Sequence, residues 1–142
     1  MNERNNKIIS ICEKYNVIEI YSFGSRAMEI VDFLNLEISE MKESSSDIDI
    51  GVRFKKGYRP DIEMKVRLAI ELEDFFRCAK VDLVQLETAP PFLALDIIRG
   101  ELLYAEDPDD QARYELFVMA RAGDLMIFEK ERRNNVLSSE KK

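Results

Sequence analysis

The chain has 142 residues, of which 46% are hydrophobic and 35% charged. That size and balance suit one soluble domain with a real core and leave no room for two. A net charge of −7 argues against a duplex-DNA binder, and the absence of histidine excludes histidine–carboxylate zinc sites, Ser-His-Asp triads and Cys-His pairs. The first residues, Met1 to Lys7, lack the apolar run of a signal peptide, and no stretch is long and apolar enough to span a bilayer. A cytoplasmic location follows as the expectation, with Cys12 and Cys78 reading as small buried thiols rather than a disulfide.

In chain order, Lys7 to Tyr15 predicts a short helix with Ile8, Ile9, Ile11 and Cys12 on its apolar side. Val17 to Phe23 is β-branched and aromatic, a strand that stops at Gly24-Ser25. Arg26 to Leu36 carries Ala27, Ile30, Val31 and Leu34 at helical spacing, and polar Glu37 to Ser46 reads as a mobile loop. Asp47 to Phe54 alternates: Ile48, Ile50 and Val52 point one way, and Asp47, Asp49 and Gly51 the other.

Asp61 to Cys78 predicts a long amphipathic helix, capped by Asp61, with Ile62, Val66, Ala69, Ile70, Leu72 and Phe76 as its apolar set. Val81 to Leu86 is a third strand, and Pro90-Pro91 opens a helix running to Ile98 and ended by Gly100. Leu102 to Tyr104 makes a short fourth strand. Pro108 opens a last helix to about Arg133, followed by a flexible tail over 134–142. The expected fold is α+β: a small mixed sheet of three to four strands with helices packed on it, residues 1–133 forming a single domain. The last helix is apolar on several faces, so it is either wedged into the core or a protein–protein surface.

Three features carry chemistry. Asp47 and Asp49 lie two apart on one strand and share a face, close enough to hold one divalent ion; the bland alternative is a solvated edge strand. Asp82 sits in the apolar run Val81-Asp82-Leu83-Val84, where a carboxylate needs a metal or a partner such as Lys80. Gly24-Ser25 stands at a strand-to-helix junction, where backbone amides approach phosphate, although the pair is also an ordinary turn and cap.

The order strand, Gly24-Ser25, helix, strand with Asp47-Ile48-Asp49, strand with Asp82 resembles the polymerase-beta nucleotidyltransferase superfamily, and within it the antitoxin-like minimal nucleotidyltransferases. The segments Pro91 to Leu95, Arg99 to Tyr104 and Arg113 to Leu116 also look like a subgroup of these proteins. One departure is the stretch Glu29 to Ser45, which lengthens the path from Gly24 to Asp47 beyond the roughly ten residues usual after the motif.

The resemblance implies Mg2+ held by Asp47, Asp49 and Asp82, and ATP as substrate gripped by Gly24 and Ser25. Asp82 would lie beside the acceptor hydroxyl as metal ligand or general base. The expected activity is transfer of a nucleotidyl group, AMP, to a hydroxyl of a partner protein such as a HEPN-type toxin. The alternative is a catalytically idle antitoxin-like module that neutralises its partner by complex formation. Neither nucleic acid nor membrane is an expected partner, and a homo-oligomer stays open.

Overall fold

The computed structural model describes residues 2–42, 46–78 and 80–140. Four strands, β1 (Val17–Phe23), β2 (Ile48–Phe54), β3 (Val81–Gln85) and β4 (Glu101–Ala105), form one sheet in the order β3-β2-β1-β4. β1 runs antiparallel to both β2 and β4, and β2 runs parallel to β3, so the sheet is mixed. The parallel pair requires a long crossover between its strands. That crossover is α3 (Ile62–Phe76). The remaining helices are α1 (Glu3–Lys14), α2 (Ala27–Leu34), α4 (Pro91–Ile98) and α5 (Pro108–Glu140).

Alternation along the strands assigns each residue to a face. Ile20, Ile48, Ile50 and Val52 pack against α1, α2 and α3, where Ile8, Phe33, Leu72 and Phe76 complete the larger core. Tyr21 and Phe23 face the other way, toward Ala94 and Ile97 of α4 and Val118 of α5. Gly51 lies on this second face beneath α4, and a Cβ there would run into the Ile97 side chain. Only glycine lets α4 sit so close to β2.

Several boundaries depart from the sequence expectation. α1 begins a turn early because Asn2 caps it, its Oδ1 accepting from the Asn5 N–H at 2.8 Å. α3 is capped by Asp61 as expected, but it buries Leu68, Leu72 and Phe76 while Ile62, Val66 and Ile70 are exposed. The helix carries two apolar stripes about 120° apart around its axis. The stripe that reaches the Phe33 ring, 5.8 Å from that of Phe76, is the one that packs.

Residues 35–42 do not form a free loop. Arg4 donates to the carbonyls of Phe33 and Ile38 at 2.7 Å each and of Ser39 at 2.9 Å, and Ile38 and Met41 pack on the core. The rest of the expected loop, 43–45, lies outside the described residues. α5 runs on to Glu140 rather than ending at Arg133, so most of the expected tail is helical; 141–142 lie outside the described residues. Cys12 is buried, which pushes its thiol up to about 12, and Cys78 is partly buried; both are free.

α5 is not wedged deeply into the core. Val118 and Ala122 are buried, whereas Leu116, Phe117, Met119, Met126, Ile127 and Phe128 are all exposed. A deeply wedged helix would have hidden them. Among the described residues no helix is long and apolar enough to cross a membrane.

Candidate active site

The site forms where β1 ends and β2 and β3 begin. In the antiparallel pair Phe23 lies opposite Asp49, so the turn at Gly24 is delivered to the start of β2. In the parallel pair Asp49 lies opposite Asp82, which puts both carboxylates on the α4–α5 face. Gly24 has φ +75°, and a Cβ on it would collide with Asp49 Oδ2. The glycine therefore opens the backbone turn and makes room for the carboxylate beside it. Ser25 is exposed at the mouth of this turn.

Asp47 precedes β2 and its side chain is 41% exposed. Lys80 Nζ lies 3.6 Å from Asp47 Oδ2, so Asp47, and not Asp82, takes the lysine as partner. Burial holds the Asp49 carboxyl above the usual carboxylate range, and the charges of Asp82 and Asp47 add to that shift. Asp49 thus lies within the field of both other acids. Among the described residues no three acidic or cysteine side chains close around a common point as they stand. A hard divalent cation such as magnesium fits this donor set of carboxylate oxygens, with no nitrogen or sulfur ligand among them.

Sequence reading missed the clip beside the site. Arg26, 8% exposed, holds Glu29 through Nε at 2.9 Å and Nη2 at 3.0 Å. It also donates to the carbonyls of Ser46 at 3.0 Å and Lys42 at 2.8 Å, and Glu29 accepts the Lys42 N–H at 2.6 Å. The long segment that departs from the family pattern is thereby fastened to the first turn of α2, and the residue ahead of Asp47 is fixed. The three-residue spacing of Arg26 and Glu29 on a helix was the available signal.

Two predictions arise here. Gly24→Ala is expected to lose about 1–2 kcal/mol of stability, from the left-handed backbone and the clash with Asp49; urea melts measure it. Arg26→Met is expected to leave the Ser46 and Lys42 carbonyls without their donor and Glu29 with only the Lys42 N–H. Limited proteolysis should then cut within 35–46 several-fold faster than in the wild type, and unchanged cleavage would count against the clip.

The chain matches the family model described as "Polymerase beta, Nucleotidyltransferase" over residues 6–109, and it belongs to that family. Among solved structures it is similar to a chain of a mutant toxin–antitoxin MntA–HpeT crystal structure. The TM-score is 0.68 at 21% identity, over 96% of this chain and 99% of that one. A toxin–antitoxin structure with AMP-PNP gives TM-score 0.68 at 22% identity, covering 94% of this chain and 98% of that one. A tri-AMPylated Shewanella oneidensis HEPN toxin in complex with MNT antitoxin gives 0.64 at 22%, covering 94% and 96%. At these identities the likeness is one of fold. No curated protein matches the chain.

Proposed function

We propose that this chain is a magnesium-dependent nucleotidyltransferase that moves AMP from ATP to a hydroxyl of a partner protein, a HEPN-type toxin, in the cytoplasm. The observation that carries the reading is the register of Asp49 with Asp82 beside the Gly24 turn. Family membership supports the reaction class. The solved neighbours support nucleotide and acceptor: one was crystallised with AMP-PNP, and another contains an AMPylated HEPN toxin beside its MNT antitoxin.

The residues divide the work as follows. Magnesium, held by Asp47, Asp49 and Asp82, would neutralise charge on the phosphates. The backbone at Gly24 and the Ser25 hydroxyl would hold the triphosphate by its oxygens. The acceptor oxygen attacks the α-phosphorus, the bond to pyrophosphate breaks, and the hydroxyl proton passes to a carboxylate, Asp82 being the exposed one at the site's rim. Exposed Phe117, Met126, Ile127 and Phe128 on α5 offer the partner an apolar surface.

That surface also supports a second reading, an idle module that neutralises its toxin by binding alone, because α5 needs no carboxylates to dock. The test is transfer of label from α-labelled ATP to a HEPN-type partner, with and without magnesium. The first reading expects magnesium-dependent labelling, and the second expects neutralisation without it.

A further inference from the structure

The opposite end of the sheet holds a second concave surface. β2 runs about 16 Å from Asp49 to Phe54, then leaves the sheet through Lys55-Lys56-Gly57-Tyr58-Arg59-Pro60. The Tyr58 N–H closes this turn onto the Lys55 carbonyl at 2.9 Å, and Gly57 supplies the φ of +84° that it needs. The Tyr58 ring leans on Phe54 with centroids 5.8 Å apart. Lys65, half-buried on α3, reaches in from one side, and Tyr114 of α5 forms the far wall. The resulting pocket measures about 710 Å³, within the range of small-molecule sites.

Its charge runs against that of the chain. Arg53 at the base is already neutralised by Glu19 and Asp110. Glu87 is the remaining acid, and it accepts the Phe54 N–H at 3.2 Å and the Gln85 amide at 3.3 Å. Lys55, Lys56, Arg59 and Lys65 form no ion pair and no side-chain hydrogen bond among the described residues. In a chain of net charge −7, four unpaired cations around one hollow repel each other, and a bound polyanion relieves that repulsion. The ring of Tyr58 supplies flat aromatic surface on which a base can stack, whereas that of Tyr114 already carries the Arg53 guanidinium, 4.2 Å from its centroid.

From this juxtaposition we infer that the pocket is a second nucleotide site, taking a nucleoside di- or triphosphate without a divalent ion. Cations bind the phosphates and Tyr58 binds the base. It is separate from the carboxylate cluster and does not rest on the transfer reaction.

Equilibrium dialysis of the full chain in EDTA with ADP, AMP, pyrophosphate and a single-stranded oligonucleotide tests it. Chelation silences the carboxylate site. ADP should bind saturably, more tightly than AMP or pyrophosphate. Lys56→Ala with Arg59→Ala, both exposed and outside the core, should weaken it by roughly tenfold or more, with the melting temperature unchanged. Tyr58→Leu should weaken ADP but not pyrophosphate, and Asp49→Asn should leave ADP binding intact. The inference is overturned if ADP does not bind, if the double variant binds it normally, or if pyrophosphate matches ADP. An oligonucleotide that displaces ADP with affinity rising with length would also overturn it, in favour of a polynucleotide track.

Discussion

In Asp49→Ala, transfer of labelled AMP to a HEPN-type acceptor is expected to fall by at least about 100-fold. Asp49 lies between Gly24 and Asp82, and burial is the first cause of its raised pKa. Asp47 is more exposed and already paired with Lys80, so Asp47→Ala should cost less. The raised pKa gives a second readout whose sign can be worked out. A carboxyl raised in the folded state contributes stability that is present at low pH and lost as pH rises through the folded value. Asp49→Asn, uncharged throughout, keeps that contribution. Without divalent ions at pH 7 the variant should therefore melt above the wild type. Adding magnesium should raise the melting temperature of the wild type and not of the variant. Equal stabilisation of both by magnesium would remove Asp49 from the proposed metal site.

Arg53→Ala is expected to be strongly destabilising, costing about 3–5 kcal/mol. Glu19 is 1% exposed, and Arg53 holds it through two hydrogen bonds, one of them at 3.1 Å, while reaching Asp110 of α5 at 2.5 Å. Arg53 also stacks over the Tyr114 ring, with its guanidinium carbon 4.2 Å from the centroid. Burial pushes the Glu19 carboxyl up and Arg53 pulls it back. Without Arg53 only the upward influences remain, so acidification should restore part of the lost stability as Glu19 takes up a proton. Urea melts of Arg53→Ala between pH 5 and pH 8, roughly the usual range of greatest stability, check this. The variant should gain on the wild type as pH falls, and Arg53→Met combined with Glu19→Gln should lose far less than Arg53→Ala. A parallel pH dependence in variant and wild type would show that Glu19 is not the stranded charge.

The strands were legible because alternation and β-branching are local. Val17 to Phe23 was read to the residue, and Asp49 fell on the correct face of β2 by counting in twos. The neighbour of β2 was not legible. That Asp82 pairs with Asp49 depends on where α3 returns the chain, a property of packing that no window of sequence contains. The buried face of α3 is not legible for a related reason: two apolar stripes compete, and contact with Phe33 decides between them. Arg26 illustrates a further limit. Its partners are carbonyls of Lys42 and Ser46, and backbone acceptors leave no mark in residue identity. α5 runs past its expected end because nothing after Arg133 breaks a helix, and a polar composition alone does not stop one.

The parallel register of β2 and β3 has a consequence for how errors in the site are caught. Sliding β3 by one residue would set Val81 or Leu83 beside Asp49 and turn Asp82 under the Leu68–Leu72 layer. A lone carboxylate there is too costly to tolerate. The apolar packing beneath the sheet thus proofreads the alignment of the two acids above it, and a chain that has not closed its core has no half-built site to offer.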